Sequence, residues 1–314
     1  MSRPSGARAW RRAASGWLLA IASLASNAGL PRYCEPPPDL SAAQRDSLLR
    51  VADVVRQELQ GSGTSAALVS RSGLDLRRLG ARYSHAGIGL ASSPSVPWSV
   101  RQLYFDCDQQ RARLFDQGLA GFVLGQHDPR VGFISLVLMP EAAAQTLAQA
   151  ALDERRALSL LGSSYSANAY AYATRYQNCN QWVAELMAAA WGDLKPAVAG
   201  PPARSSEMRV QAQQWLRDAA YRPSSLTPRP RVLALVVPFV LWFHWDDHPE
   251  ASLREQVFEV SMPASLEAFV RQREPAARRV EICHTPQHIV LRRNWTPLND
   301  DCAPEPGDEL IPLR

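Results

Sequence analysis

The 314-residue sequence has almost no lysine and none of the short motifs that mark nucleotide or structural zinc sites. Lys195 is the single lysine among 34 basic residues, an imbalance typical of a GC-rich bacterial coding sequence. Neither a Gly-rich phosphate loop nor a Gly-x-Ser-x-Gly elbow occurs, which argues against P-loop proteins and α/β-hydrolases. No cysteine pair has Cys-x-x-Cys spacing, and no histidine cluster accompanies a cysteine, which argues against a structural zinc site.

The charge balance gives no sign of a nucleic-acid surface. The formal net charge is +4, from 34 basic and 30 acidic residues. Four arginines lie in residues 1–28, which contain no acidic residue, so the rest of the chain carries 30 of each sign. No nucleic-acid partner is expected. With 46% hydrophobic and 20% charged residues, the composition is that of a globular protein of about two domains, or of one domain with a long decoration.

No hydrophobic run is long enough to span a bilayer. A positive segment, residues 1–15, precedes the short apolar run 16–25 and the small residues Ser26-Asn27-Ala28, a pattern typical of a secretory signal peptide cleaved after Ala28. The alternative is a membrane anchor. The apolar stretch 232–245 is interrupted by Pro238 and has the length of a core segment. The sequence therefore predicts an exported, periplasmic protein with no transmembrane span in the mature chain.

Five cysteines in an exported chain leave at least one thiol unpaired or paired between chains. Three connectivities are possible among four of them. We expect the disulfides Cys34–Cys107 and Cys283–Cys302, because the second closes a short loop. This pairing leaves Cys179 as the free thiol.

Cys179 lies where a polar run passes into a helix. Asn178 is a good N-cap, and apolar residues from Val183 onward recur at helical spacing. Cys179 then occupies the first helical position, one turn before Val183, and faces the protein body. The helix dipole and the free backbone N–H groups there favour a thiolate. The alternative is that Cys179 is a small buried hydrophobe or half of a disulfide.

His85 lies on a predicted strand, Tyr83–Leu90, beside two glycines of the same face, Gly87 and Gly89. Two glycines weaken a strand unless something approaches its backbone closely, such as a helix end or a substrate. His85 would then project from bare backbone toward that group. The alternative is an ordinary hydrogen-bonded strand histidine.

The next predicted strand, Trp98–Phe105, has one polar residue on an otherwise apolar face. Gln102 shares that face with Trp98, Val100 and Tyr104. A buried polar side chain needs a partner, and an imidazole nitrogen is one that a glutamine can orient.

These residues occur in an order, histidine before cysteine, that is the reverse of papain's. The segments Tyr83–Leu90 and Gln177–Glu185 resemble the circularly permuted branch of the NlpC-type papain-like fold, which includes the lecithin retinol acyltransferase-like proteins. Residues 34–274 more closely resemble domain of unknown function 2145, a family of exported proteobacterial proteins. The segments that carry this resemblance are Tyr83–Gly87, Trp98–Val100, Gly118-Leu119, Tyr176–Trp182, Gln213–Leu216 and Phe243–Pro249.

The resemblance implies that Cys179 is a nucleophile, His85 its general base, and Gln102 the residue that orients the imidazole. The implied protein is a cysteine hydrolase, amidase or acyltransferase that acts on an amide or ester, either a cell-wall peptide or a lipid, without a cofactor. Gln102 departs from the stronger pattern, because a glutamine cannot hold an imidazolium electrostatically as a carboxylate can. The alternative is an inactive papain-like module that binds a peptide, an envelope component or a partner protein. A plain structural scaffold comes third.

The remaining pattern predicts an α+β protein with a permuted papain-like (NlpC-type) antiparallel sheet packed against helices. The papain-like core would span residues 29–222, and a strand-rich extension, residues 223–303, would pack on it before a tail, residues 304–314. The predicted helices are Leu40–Gln60, Glu141–Leu161, Ser205–Ala219 and Ala264–Arg271, and the further strands are Ala66–Ser70, Val131–Met139, Val232–Trp242 and Gln256–Val260.

A polar cluster in the extension, His244, Asp246, Asp247 and His248, contains residue types that ligate zinc. Adjacent strand residues point to opposite faces, and Asp-His-Pro is also turn chemistry, so at most half of the cluster could converge. We therefore expect no metal site there.

Overall fold

A computed structural model describes residues 39–125, 128, 130–196, 205–227 and 242–313, which fall in one unit, Pro37–Arg314. The signal-peptide segment, residues 1–28, lies outside the described residues. The helices are α1 (Ala42–Gly61), α2 (Leu119–Leu124), α3 (Glu141–Leu152), α4 (Glu154–Ser159), α5 (Cys179–Trp191), α6 (Ser205–Asp218), α7 (Glu250–Glu255) and α8 (Pro263–Arg273). The strands are β1 (Ala66–Arg71), β2 (His85–Leu90), β3 (Ser99–Asp106), β4 (Arg111–Gln117), β5 (Gly132–Leu138), β6 (Ser224–Leu226), β7 (Phe258–Val260), β8 (Arg278–His284), β9 (His288–Arg292) and β10 (Glu309–Pro312).

Eight of these strands form one sheet in the order β10-β9-β8-β5-β1-β2-β3-β4, and all neighbouring pairs are antiparallel. β6 and β7 form a separate two-stranded sheet. Every residue of β1, β2 and β5 is buried, so these central strands are covered on both faces. The α+β class and the antiparallel sheet with packed helices are therefore confirmed.

Helices cover the sheet through apolar faces that the sequence pattern anticipates. α1 and α2 pack together and join one face of the sheet in a core that includes Val69, Val100 and Phe122. α5 packs against α3 and against β2 and β3. None of the described helices is long and apolar enough to cross a membrane.

Two segments differ from the sequence expectation. The helix expected over Glu141–Leu161 is two helices, because Asp153 is extended and its side chain accepts a hydrogen bond from the Arg156 N–H, which caps α4. The expected tail includes β10, which pairs with β9. Of the strand expected over Val232–Trp242, all but the last residue lies outside the described residues.

The strand-rich extension continues the central sheet. β8 pairs with β5 and also with β9. The predicted disulfide Cys283–Cys302 is confirmed, with 5.8 Å between the two Cα atoms. Cys34 lies outside the described residues, so its pairing with Cys107 stays a prediction.

Candidate functional site

Helix α5 begins at Cys179 because Asn178 caps it. Asn178 is extended, and its side-chain oxygen accepts a 2.7 Å hydrogen bond from the Gln181 N–H. Cys179 thus occupies the first helical position, as the sequence predicts. Its thiol is free and 4% exposed, so Cys179 is not half of a disulfide.

The start of α5 lies beside the strand that carries His85. The Asn180 side chain donates a 3.2 Å hydrogen bond to the carbonyl of Ser84, the residue before His85. The β1–β2 pairing extends as far as His85, whereas the β2–β3 pairing covers only Ile88–Leu90. His85 therefore lies beyond the end of the β2–β3 ladder, in the region where α5 contacts both strands.

Buried polar side chains fix the loop that leads into Cys179. Gln177 accepts a hydrogen bond from the Gly162 N–H and donates one to Glu185, at 2.7 and 2.6 Å. Glu185 forms a buried ion pair with Arg209, with 2.8 Å between the nearest atoms. Arg209 also donates to the Tyr176 carbonyl at 3.0 Å. The sequence analysis missed these supporting residues, although a glutamate within the apolar run of α5 was a signal for a buried partner.

His85 is hydrogen-bonded to Gln102, and both side chains are buried. The Gln102 oxygen can only accept, so the proton lies on the His85 Nε2 and the Nδ1 carries a lone pair. The Gln102 amide nitrogen donates to the Gln117 oxygen at 2.6 Å. The imidazole partner predicted for Gln102 is thus the one found, while its catalytic role stays a prediction.

Gly87, one of the two glycines on the face of His85, makes room for the neighbouring strand β3. A Cβ at Gly87 would lie 2.5 Å from the Val100 Cγ1, 2.8 Å from the Arg101 carbonyl oxygen and 3.1 Å from the Gln102 Cβ. The group that approaches the bare backbone is therefore β3, rather than the helix end or substrate expected from the sequence. Gly87 allows the Gln102 side chain to lie next to His85.

Burial keeps both candidate catalytic groups neutral. It lowers the pKa of His85 to about 3, with a smaller lowering from Arg71 that the Gln102 hydrogen bond partly opposes. Burial also raises the pKa of Cys179 to about 11. The Asn180 N–H, the Arg71 charge and the Tyr165 hydroxyl favour the thiolate, but burial outweighs them. The helix-start effect predicted from the sequence is present with the expected sign, yet the thiol remains protonated at neutral pH.

Arg71 links the surroundings of the two groups. It is the cross-strand partner of His85, and its charge acts on both His85 and Cys179. In the described residues His85 is hydrogen-bonded to Gln102, the Tyr165 side chain acts to lower the pKa of the thiol, and no hydrogen bond joins His85 to Cys179. The structure therefore brings His85 and Gln102 into contact and places Cys179 nearby, without a preformed Cys–His hydrogen bond.

Side chains of the polar cluster at residues 244–248 form hydrogen bonds with backbone groups of the protein. Asp247 accepts a 2.9 Å hydrogen bond from the Tyr170 N–H, and the His248 Nε2 lies 2.7 Å from the Asn168 carbonyl oxygen. Among the described residues no group of three or more His, Cys, Asp or Glu could hold a metal ion. These contacts hold the loop between α4 and Cys179.

One family model matches the chain. It is described as an uncharacterized protein conserved in bacteria (DUF2145), and it covers residues 58–270, which include His85, Gln102 and Cys179. No curated protein and no solved structure matches the chain.

Proposed function

We propose that this chain, which belongs to the bacterial family DUF2145, is a thiol hydrolase or acyltransferase with a permuted papain-like fold. The observation that carries the proposal is the placement of Cys179 at the capped start of a buried helix, beside the strand on which His85 is oriented by Gln102. A cysteine, a base and a group that orients the base are the parts that nucleophilic acyl transfer needs.

In the proposed reaction the Cys179 sulfur attacks the carbonyl carbon of an amide or ester. As the S–C bond forms, the thiol proton moves to the His85 Nδ1, which has the free lone pair. His85 then gives that proton to the leaving amine or alcohol as the C–N or C–O bond breaks. Water or a second acceptor attacks the resulting thioester, transfers its proton through His85 and releases Cys179 as a thiol.

The helix start would stabilise the oxyanion of this reaction. The backbone N–H groups of Asn180 and Cys179 act to lower the pKa of the thiol, and they lie at the positive end of the α5 dipole. The Tyr165 side chain, which also acts to lower the pKa of the thiol, is a further candidate donor to the oxyanion.

A thiol-directed acyl probe tests the proposal on the mature protein. We expect the wild type to be labelled at Cys179, Cys179→Ala to lose labelling, and His85→Asn to react more slowly by about 100-fold or more, the usual contribution of a general base. The matched control is His284→Asn, because that buried histidine lies on β8, three strands away from β2 in the sheet. Equal labelling of the wild type and Cys179→Ala would overturn the proposal.

The second candidate is a catalytically inactive papain-like module that binds a peptide, an envelope component or a partner protein. The observation that favours it is the neutral, buried state of Cys179 and His85, with no hydrogen bond between them. If labelling of Cys179 by the acyl probe, which transfers its acyl group, is unaffected by His85→Asn at every pH, the pair does not act as a unit and the binding module is supported.

The proposed setting is the bacterial periplasm, reached through the N-terminal signal peptide. The substrate classes available there are cell-wall peptides and lipid esters. Fractionation of bacteria that express the full chain tests this location, since full-length protein retained in the cytoplasm with residues 1–28 uncleaved would contradict it.

A further inference from the structure

The Gln102 amide can face His85 in two ways. With its oxygen toward the imidazole it fixes the proton on Nε2, and with its NH₂ group there it fixes the proton on Nδ1. Only the first arrangement leaves Nδ1 able to accept a proton from the thiol. A group on the far side of Gln102 that accepts a hydrogen bond from its NH₂ group would select the first arrangement.

Gln117, the last residue of β4, is that group. Its side-chain oxygen accepts a 2.6 Å hydrogen bond from the Gln102 nitrogen, which turns the Gln102 oxygen toward His85. The backbone places Gln117 opposite Val100, two residues before Gln102 on β3. The three side chains form a chain of hydrogen bonds from β4 through β3 to the start of β2.

Gly121 of helix α2 provides the space that Gln117 occupies. A Cβ at Gly121 would lie 2.9 Å from the Gln117 Nε2, 3.0 Å from its Cγ and 3.3 Å from its Cδ. These distances are shorter than ordinary van der Waals contacts, so the glutamine packs directly against the glycine backbone. The helix that follows β4 thus confines the Gln117 side chain.

We propose that Gln117, seated on Gly121, is a positioning residue that sets the tautomer of His85 through Gln102. The inference rests on the proposed function for its chemical meaning, because the Nε2–H tautomer is the one that can take the Cys179 proton at Nδ1. It is a statement about an imidazole, however, and holds or fails whether or not the protein turns over a substrate.

The test is the ¹⁵N spectrum of the His85 ring in the intact protein at pH 7, assigned with His85→Asn. The wild type should show a protonated Nε2 and an unprotonated Nδ1. In Gln117→Met, which cannot accept the hydrogen bond, the Nδ1–H form should become populated. In Gln117→Glu, which can only accept, the Nε2–H form should be retained. An Nε2–H form that persists unchanged in Gln117→Met, or a wild type protonated on Nδ1, would overturn the proposal.

A second pair of variants covers the case in which Gln117→Met does not fold. Gly121→Ala should displace the Gln117 side chain and mix the two tautomers of His85. Gly61→Ala is its control, because a Cβ there meets nothing within 4 Å and Gly61 lies on α1, away from Gln117. Identical spectra for both alanine variants would refute the role of Gly121. Acyl-probe labelling of the same variants separates this inference from the proposed function. If Gly121→Ala mixes the tautomers but is labelled like the wild type, while Cys179→Ala is not labelled, the proposed function stands and the positioning role is wrong.

Discussion

The neutral thiol of Cys179 makes a quantitative prediction for alkylation. A pKa of about 11, against 9.0 for an ordinary cysteine, leaves about 10⁻⁴ of the thiol ionised at pH 7 instead of about 10⁻². Because the thiolate is the nucleophile, the pH-dependent part of the rate should be about 100-fold below that of an exposed cysteine. The rate should also keep rising about tenfold per pH unit from pH 7 to pH 10, with no plateau.

Replacing His85 should leave this alkylation profile unchanged in the free protein. With a pKa of about 3, His85 is neutral above pH 5 and cannot stabilise a thiolate as an imidazolium. The measurement is iodoacetamide alkylation from pH 6 to pH 10, followed by mass spectrometry of the Cys179 peptide, for the wild type and His85→Asn. The same chain in denaturant supplies the ordinary cysteine curve.

A plateau reached at or below pH 7 that disappears in His85→Asn would refute this reasoning. Such a plateau means that a thiolate–imidazolium pair exists at rest, and therefore that burial does not control the two groups. A slow rate alone decides nothing, since burial also slows access of the reagent. The shape of the pH profile, which access does not change, is the quantity that decides.

Three further predictions concern stability, each measured by denaturant unfolding. Below pH 6.5 the unfolded chain protonates His85, while the folded chain does not until about pH 3. The free energy of unfolding should therefore fall by about 1.4 kcal/mol for each pH unit lowered in that window. His85→Asn should remove this share of the slope, and parallel curves for the two proteins would contradict the prediction. Gly87→Ala should cost about 1–3 kcal/mol, because its methyl group would meet a β3 carbonyl oxygen at 2.8 Å; Gly61→Ala, which meets nothing within 4 Å, is the control. Arg209→Met should cost about 3–5 kcal/mol by leaving Glu185 buried and unpaired, and the double variant with Glu185→Gln should recover part of the loss.

Much of the fold follows from local sequence signals, because caps and apolar periodicity act over a few residues. Asn178 places the start of α5, and α1 begins after Ser41, whose side chain and that of Gln44 form a capping box. A cap also explains why one helix was predicted where the structure has α3 and α4. The apolar pattern continues through Asp153, but the Asp153 side chain caps the start of a new helix.

The strands without an apolar signal could not be found in this way. β8 carries Arg279 and Glu281, which read as surface residues but are buried in a network with Glu267 and Tyr83. Their burial is possible only because each charge meets an opposite charge from a distant part of the chain. β4 is an edge strand with several charged residues. Such charges discourage pairing with other chains, and they also leave no apolar pattern by which the strand could be predicted.

The candidate site likewise has features that the sequence predicts and features that it does not. The types and order of His85, Gln102 and Cys179 are visible in the sequence, and the helix-start position of the thiol follows from Asn178. The protonation states of these groups are not visible in the sequence, because burial results from many tertiary contacts. Here burial raises the pKa of the thiol, whereas the local helix effect lowers it. Gln117 was missed for a related reason, since nothing local distinguishes a glutamine that orients another glutamine.

The neutral resting state restricts how a reaction could begin. Moving a proton from a group with a pKa of about 11 to one with a pKa of about 3 spans 11 − 3 = 8 units, or about 11 kcal/mol. Attraction between the resulting charges at 4 Å would return about 4 kcal/mol at an effective dielectric constant of 20. These two pKa values therefore favour the neutral pair over a Cys179–His85 ion pair in the free protein. In the proposed reaction the proton would therefore leave the sulfur while the S–C bond forms, and the negative charge would pass to a carbonyl oxygen near the N–H groups at the start of α5. The enzyme and the binding module thus share one resting state, and they differ in whether a bound carbonyl group can receive that charge.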